Sequence, residues 1–289
     1  MKVSVIVPVY NDIRLDACLR SLVTQARKLG GAGAELIVVD NGSDTDIAGI
    51  CKRFVHVIYV RESKAGSYAA RNAGLRAARG EIYAFTDADC IPDSEWLQTG
   101  LHSFDDPDVQ VLAGPIRTFP RPAARPNLVE SFELSIRFPV RRYVEERLFG
   151  PTANLWMRST VIREAGPFDE RLRSGGDVEW CKRAHGHGFP TRYCERLIVR
   201  HPADDNLRAV TRRARRHVGG HFMLARREKR VAELVRKRLW PRWTVGVILS
   251  NGHVGLTQKS RALLVELFWL YWVRLVELGR LFAGGEPLR

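Results

Sequence analysis

Ile82-Tyr83-Ala84-Phe85-Thr86-Asp87-Ala88-Asp89 sets two carboxylates just beyond an apolar run that reads as a buried strand. In open α/β sheets ligands collect outside the carboxyl ends of the strands, and hard cations such as Mg2+ or Mn2+ take one or two carboxylates completed by phosphate oxygens and water. An Asp-x-Asp run also ends strands by capping the next turn. Taken alone, the pair supports either reading.

Working outward, Val3 to Val9 is a continuous β-branched run, followed by Leu15, Cys18, Leu19 and Leu22 at helical spacing and by a second buried strand from Glu35 to Val39. Val55 to Val60 reads as a third strand, Ala69 to Ala78 as a helix, Glu81 to Phe85 as a fourth strand, and Trp96 to Phe104 as another helix. Such alternation predicts an α/β fold with a mainly parallel sheet and helices on both faces. Pro115, Pro120, Pro122 and Pro126 then mark a loop or edge excursion. Beyond it Val129 to Leu148 reads as helix, Thr152 to Met157 as strand, Asp177 to His185 as helix, and Arg192 to Val199 as strand.

The 289 residues, 45% of them apolar and 27% charged, suffice for a full core. A net charge of +14 implies a polyanionic neighbour: nucleic acid, an anionic membrane surface, or a phosphorylated substrate. Five cysteines without a C-x-x-C pair indicate neither a disulfide framework nor zinc, and they suit reduced thiols in a cytoplasmic protein. Lys2 followed by Val3 to Val9 is too short and too strand-like for a signal peptide.

Asp40 follows its strand and precedes Asn41-Gly42-Ser43, which puts another carboxylate at the carboxyl edge of the sheet. An acid there also serves dinucleotide sites, but the turn after the first strand is Pro8-Val9-Tyr10-Asn11-Asp12 and lacks G-x-G-x-x-G. NAD or FAD binding is disfavoured.

Three segments fall into order: Val3 through Asn11, Val38-Val39-Asp40-Asn41-Gly42-Ser43, and Ala70-Arg71-Asn72-Ala73-Gly74 leading to Asp87-Ala88-Asp89. Together they resemble the family 2 glycosyltransferases, which have the GT-A fold, a Rossmann-like nucleotide-diphospho-sugar transferase architecture, and transfer a sugar with inversion. The resemblance implies a catalytic domain over 1–205, with 1–115 as the nucleotide-sugar half and 116–205 as the acceptor half. Residues 206–289 form a C-terminal helical extension. On the same resemblance Pro8, Tyr10 and Asp40 cradle base and ribose, Arg71 lies near the base or diphosphate, and Asp87 approaches the ribose or a metal-bound water. Asp89, with His201 at a matching place, would ligate Mn2+ or Mg2+; a neutral imidazole suits Mn2+ better.

Asp177 and Glu179, in Gly175-Gly176-Asp177-Val178-Glu179-Trp180, are similar to the family's acidic segment, in which the carboxylate at Asp177 is the usual inverting base. Gly176 stands where the family commonly has Glu. Without the resemblance, Asp177 reads as a first-turn acid and Glu179 as an i,i+4 partner of Arg183. Asn154, Trp156 and Trp180 are expected on the acceptor side, although core packing is the ordinary role of a tryptophan. UDP is the commonest nucleotide in the family, with GDP and dTDP open. The acceptor would be a glycan or lipid-linked hydroxyl of the kind used in cell-envelope glycan or glycolipid synthesis.

From Leu207 the composition changes. Residues 207–238 carry twelve Lys or Arg against Glu228 and Glu233, a local balance of +10. Ala262 to Phe282 is rich in Leu, Trp, Tyr and Phe, with Glu266, Arg274, Glu277 and Arg280 on one narrow stripe. A basic helix followed by an aromatic amphipathic one predicts peripheral attachment at the inner face of the plasma membrane; a terminal core or homodimer helix is the other reading. Nucleic-acid binding is the chief rival function, but no recognition motif accompanies the basic stretch. A nucleotidyltransferase or pyrophosphorylase would need a Gly-rich phosphate loop that is absent after the first strand, and retention of four acids argues against an inactive scaffold.

Overall fold

The computed structural model describes residues 2–30, 33–120, 125–136, 138–239 and 242–287. They form two compact units, Met1–Arg117 with Val140–Arg171 and Gly176–His201, and Thr118–Pro139 with Leu172–Gly175 and Pro202–Arg289.

The first unit is built on β1 (Val3–Val9), β2 (Ala34–Asp40), β3 (Val57–Arg61) and β4 (Ile82–Thr86). β1 pairs in parallel with β2 on one side and β4 on the other, with Val9 opposite Asp40 and Ile6 opposite Phe85. The short strands that follow are β5 (Ile91–Pro92), β6 (Val111–Ala113), β7 (Ile116–Phe119), β8 (Asn154–Arg158), β9 (Thr191–Tyr193) and β10 (Val199–Pro202). The main sheet has the order β3-β2-β1-β4-β8-β6-β9, in which β8 alone is antiparallel to its neighbours. β5 and β10 pair antiparallel in a second, three-stranded sheet. The mainly parallel sheet expected from the alternation is present.

Helix α1 (Leu15–Lys28) buries Leu15, Cys18, Leu19 and Leu22, and its Asp16 and terminal Arg27 and Lys28 match the helix dipole. A short helix, α2 (Ile47–Lys52), capped by Asp46, has too few residues for a periodic signal. Helix α3 (Ser67–Ala77) packs closely on β1 because its inner face is Ala70, Ala73 and Gly74; a Cβ at Gly74 would come within 2.4 Å of the buried Ile6 side chain. Helices α4 (Trp96–Ser103), α6 (Val140–Arg147), α7 (Ser159–Ala165) and α8 (Gly176–Gly186) complete the unit.

The second unit contains α5 (Leu128–Ile136), α9 (Leu207–Arg227), α10 (Val231–Leu239), α11 (Arg242–Ser250), α12 (Leu256–Val265), a π-helical turn (Glu266–Leu270) and α13 (Tyr271–Phe282). Val129 and Phe132 of α5 share a core with Val210, Ala214, Ile248, Ala262 and Leu270. Val218, Phe222, Leu278 and Leu281 form another.

Several expected boundaries shift. The single helix from Val129 to Leu148 is two helices, broken where Phe138 takes φ 59 before Pro139. The Pro-rich excursion includes strand β7, while its residues 121–124, Pro122 among them, lie outside the described residues. Arg192 to Val199 is not one strand but the end of β9, an irregular link, and the start of β10.

Gly74→Ala is expected to destabilise the protein by about 1–3 kcal/mol, because Ile6 has no room to yield. Urea unfolding of both proteins measures this.

Candidate active site

The carboxyl ends of β1, β2 and β4 finish side by side, and the loops beyond β1 and β2 are braced by the side-chain amides of Asn11 and Asn41. Asn11 holds φ 51, and its side-chain oxygen accepts the backbone N–H groups of Asp44 and Thr45 at 2.8 and 3.1 Å. Asn41 donates to the carbonyls of Glu62 and Lys64 and accepts from the N–H of Gly66. Tyr10 stands open to solvent, 63% exposed, beside buried Asp40. Asp40 accepts the N–H of Ser43 at 2.8 Å and the hydroxyl of Tyr59 at 2.7 Å. Burial alone would raise its carboxyl, but these bonds outweigh burial and hold it below the ordinary carboxylate value.

Arg71 pairs with Asp87 and lies close enough to Asp177 to act on its charge. Its guanidinium donates to Asp87 at 2.6 Å, lies 5.6 Å over the Tyr68 ring, and keeps a buried Nε without a hydrogen-bond partner among the described residues. An unsatisfied buried donor on a cation is costly and suits a bound anion. The Tyr68 hydroxyl reaches the start of α8, accepting the N–H of Gly176 at 2.8 Å and, less closely, that of Asp177 at 3.4 Å. Gly176 has a steric reason to lack a side chain: a Cβ there would lie 2.6 Å from the Tyr68 ring. Where the family commonly has Glu, this chain has packed a tyrosine.

Asp177 itself is partly buried, and its carboxyl accepts the N–H of Val178. Desolvation raises its pKa, opposed by that hydrogen bond and by Arg71 and reinforced by Asp87, with a net upward shift. Glu179 is held apart in a bidentate pair with Arg183, at 2.7 and 3.0 Å. Its carboxylate takes the i,i+4 pairing that its spacing allows.

Asp89 and His201 do meet, with His201 Nε2 3.3 Å from Asp89 Oδ2. With Cys90 Sγ they form the three-residue group whose ligand atoms all lie within 4.8 Å of one another. Burial, with Asp89 and Asp87 nearby, pushes the Cys90 thiol well up, and its sulfur contacts Asp89 Oδ1 at 3.8 Å. The remaining carboxylate oxygen and imidazole nitrogen fit Mn2+ or Mg2+, with other positions left for water and phosphate oxygen. Arg14, paired to Asp12 at 2.6 Å, lies 3.3 Å from the same Asp89 oxygen.

The three acceptor-side residues are elsewhere. Asn154, Trp156 and Trp180 are each 0% exposed. Asn154 accepts from Trp96 Nε1 and donates to the carbonyls of Pro115 and Leu197; Trp156 packs edge-on to Trp96; Trp180 donates to the carbonyl of Gly166. The two tryptophan rings pack in the core, and Trp156 Nε1 is buried there without a hydrogen-bond partner among the described residues.

Residues 4–164 match the family model described as Glycosyl transferase family 2. The chain belongs to that family. It is 34% identical over 208 residues to glycosyltransferase AglE of Haloferax volcanii, covering 70% of this chain and 67% of AglE. It is 36% identical over 217 residues to the pre-mycofactocin glycosyltransferase of Mycobacterium tuberculosis, covering 71% of this chain and 44% of that protein, so it spans less than half of that relative. Among solved structures, mannosyltransferase PcManGT from Pyrobaculum calidifontis, in complex with GDP-Man and Mn2+, superposes with a TM-score of 0.60 at 19% identity over 98% of this chain and 85% of that one. S. aureus TarS 1-349 in complex with UDP-GlcNAc gives 0.55 at 17% identity over 99% and 93%. These likenesses show the GT-A fold.

Tyr68→Phe is expected to leave the buried Gly176 N–H without its acceptor and to loosen that of Asp177. The protein should lose about 1–3 kcal/mol of stability, and sugar transfer should fall more than nucleotide affinity. Denaturation, calorimetric nucleotide titration and kcat measured together separate the two effects.

Proposed function

We propose that this glycosyltransferase moves a sugar with inversion from a nucleoside-diphosphate sugar, UDP being the first nucleotide to test, to a hydroxyl of a glycan or lipid-linked acceptor in cell-envelope glycan or glycolipid synthesis. The observation that carries the reading is the grouping of Asp40, Asp87 with Arg71, Asp89 with His201, and the raised Asp177 in one unit. Residues 1–115 supply the donor side and 116–205 the acceptor side. The neighbours' GDP-Man and UDP-GlcNAc support a nucleotide-sugar donor.

In this reading Tyr10 and Pro8 offer a platform for the base, Asp40 takes the base or ribose, and Asp87 the ribose. Arg71, with a buried Nε that lacks a partner among the described residues, supplies the positive charge for an anionic ligand. Asp89 and His201 would hold a divalent cation, which when bound neutralises charge on the leaving diphosphate. Asp177 accepts the proton of the acceptor hydroxyl as that oxygen attacks the anomeric carbon opposite the leaving group; no covalent intermediate is needed. Its raised pKa makes it a stronger base than an ordinary carboxylate. Glu179, offered by sequence as a second catalytic acid, contributes through Arg183 by holding α8.

The same proposal puts the enzyme at the inner face of the plasma membrane, attached peripherally through residues 207–282. The local charge of +10 supports it, and no described helix is long and apolar enough to cross a membrane.

Thermal-shift screening of nucleoside diphosphates with Mn2+ should identify one stabilising nucleotide, and no shift with any of them would count against a donor site. Asp89→Ala should abolish divalent-cation-dependent turnover. Asp177→Asn should keep nucleotide binding and lose at least about a hundredfold in transfer; substantial transfer by it would exclude Asp177 as the base. The transfer rate should fall with acid along a limb centred above the ordinary carboxylate value of 3.8. A carboxyl raised by folding adds stability at low pH, lost as pH rises through its folded value, so its protonation does not unfold the protein. A pH–rate profile alongside a pH–stability profile checks the sign.

A further inference from the structure

We propose that the outward side of the terminal helix is a bilayer-inserting face, seated at the headgroup–acyl boundary of an anionic membrane; this deepens the attachment reading and rests on it. The helix running through α12, the π turn and α13 buries two acids beside the apolar row Ala262, Val265, Leu270, Leu278 and Leu281, and leaves a second apolar row outside. Its acids point inward: Glu266 and Glu277 are 0% and 1% exposed, the first paired with Arg274 and the second with Arg215 and Arg280. Its large apolar side chains point outward in steps of four, with Leu264 at 50%, Phe268 at 73%, Trp272 at 59% and Val276 at 72% exposure. Single exposed hydrophobics need no explanation, but a continuous ladder of them marks an interaction surface.

The rim of this ladder selects its occupant. Trp269, beside Phe268, donates its indole N–H to Thr211 of α9. At about 100° per residue, Arg208 and Arg226 both fall within about 60° of Thr211 around that helix. Arg208 and Arg212 are exposed near this junction. At the far end Arg226 lies 5.9 Å over the ring of Phe222, which meets the exposed Phe282 edge-on at 5.2 Å.

An apolar, tryptophan-bearing strip bordered by guanidinium groups complements anionic headgroups above acyl chains. A second copy of the chain would bring an identical cationic rim against this one, and repulsion would oppose it. The strip from Leu264 to Val276 covers about 18 Å at 1.5 Å per residue, which suits a helix lying in the interface and is too short to span.

The test is flotation of the full chain with phosphatidylcholine vesicles, with and without phosphatidylglycerol, for the native protein, the double variant Phe268→Ser/Trp272→Ser, and Arg208→Glu/Arg212→Glu. The substituted side chains are exposed, and matched circular dichroism and melting confirm that each variant folds. The native protein should bind phosphatidylglycerol vesicles, and each double variant should bind about tenfold or more weakly. Equal flotation of native protein and Phe268→Ser/Trp272→Ser would overturn the inserting face while leaving basic attachment standing. Failure of the native protein to float would overturn attachment itself. A concentration-dependent dimer that the same variant dissociates, without vesicle binding, would assign the face to a second copy.

Discussion

Parallel pairing on both sides of β1 is the constraint on which the rest of the catalytic unit depends. It makes β2, β1 and β4 end along one edge, so Asp40, Tyr10 and the Asp87–Asp89 loop emerge together although they are far apart in sequence. Collecting carboxylates on one edge is unfavourable unless each charge is answered. The chain answers them differently. Asp40 is satisfied by a backbone N–H and a tyrosine hydroxyl, Asp87 by Arg71, and Asp89 by Arg14 and His201. Asp177 has desolvation without a matching ion pair, and its pKa is raised. Environments that drive like groups apart are what acid–base chemistry needs.

This division of labour explains why a tyrosine that no motif announces is central. Tyr68 supports Arg71 with its ring and the start of α8 with its hydroxyl, and the same ring removes the space for any side chain at Gly176. Helix α3 and the start of α8 are thereby coupled. Sequence separation hides the coupling, because the residues concerned lie 108 positions apart and share no periodicity.

What could be read in advance was therefore what lies within one strand and the loop after it. The β-branched run Val3–Val9, the strand before Asp40 and the apolar run before Asp87 announce both their conformation and their order. Whether a residue beside the site faces the ligand or the core depends on long-range packing. Trp156 and Asn154 are in β8, beside β4, yet both are consumed by Trp96 and the neighbouring backbone. The pair Phe168 and Asn72 is similarly invisible: Asn72 bonds both the N–H and the carbonyl of Phe168 across 96 positions. Asn72 stands inside a motif legible from its neighbours, and its structural task was not.

The C-terminal helix shows the sharper form of the same limit. Its charged stripe is evident from spacing, and the usual rule turns such a stripe to water. Here the rule fails because arginines answer the acids where they are buried: Arg274 and Arg280 from the same helix, and Arg215 of α9, which meets Glu277 from 62 residues away at 2.8 Å. Burial alone would raise the Glu277 carboxyl, but bonds from Arg280 and Arg215 overcome this and hold it low. Buried ion pairs of this kind contribute little net stability compared with apolar packing of equal volume, while breaking one leaves an expensive lone charge. They do fix rotation. Once Glu266 and Glu277 must face inward, the side chains a half-turn away must face outward, and those are the phenylalanine and tryptophan of an otherwise well-formed apolar face. The inward face also buries Ala262, Val265, Leu270, Leu278 and Leu281, so two paired acids and an apolar row together fix the rotation that leaves Phe268 and Trp272 outward.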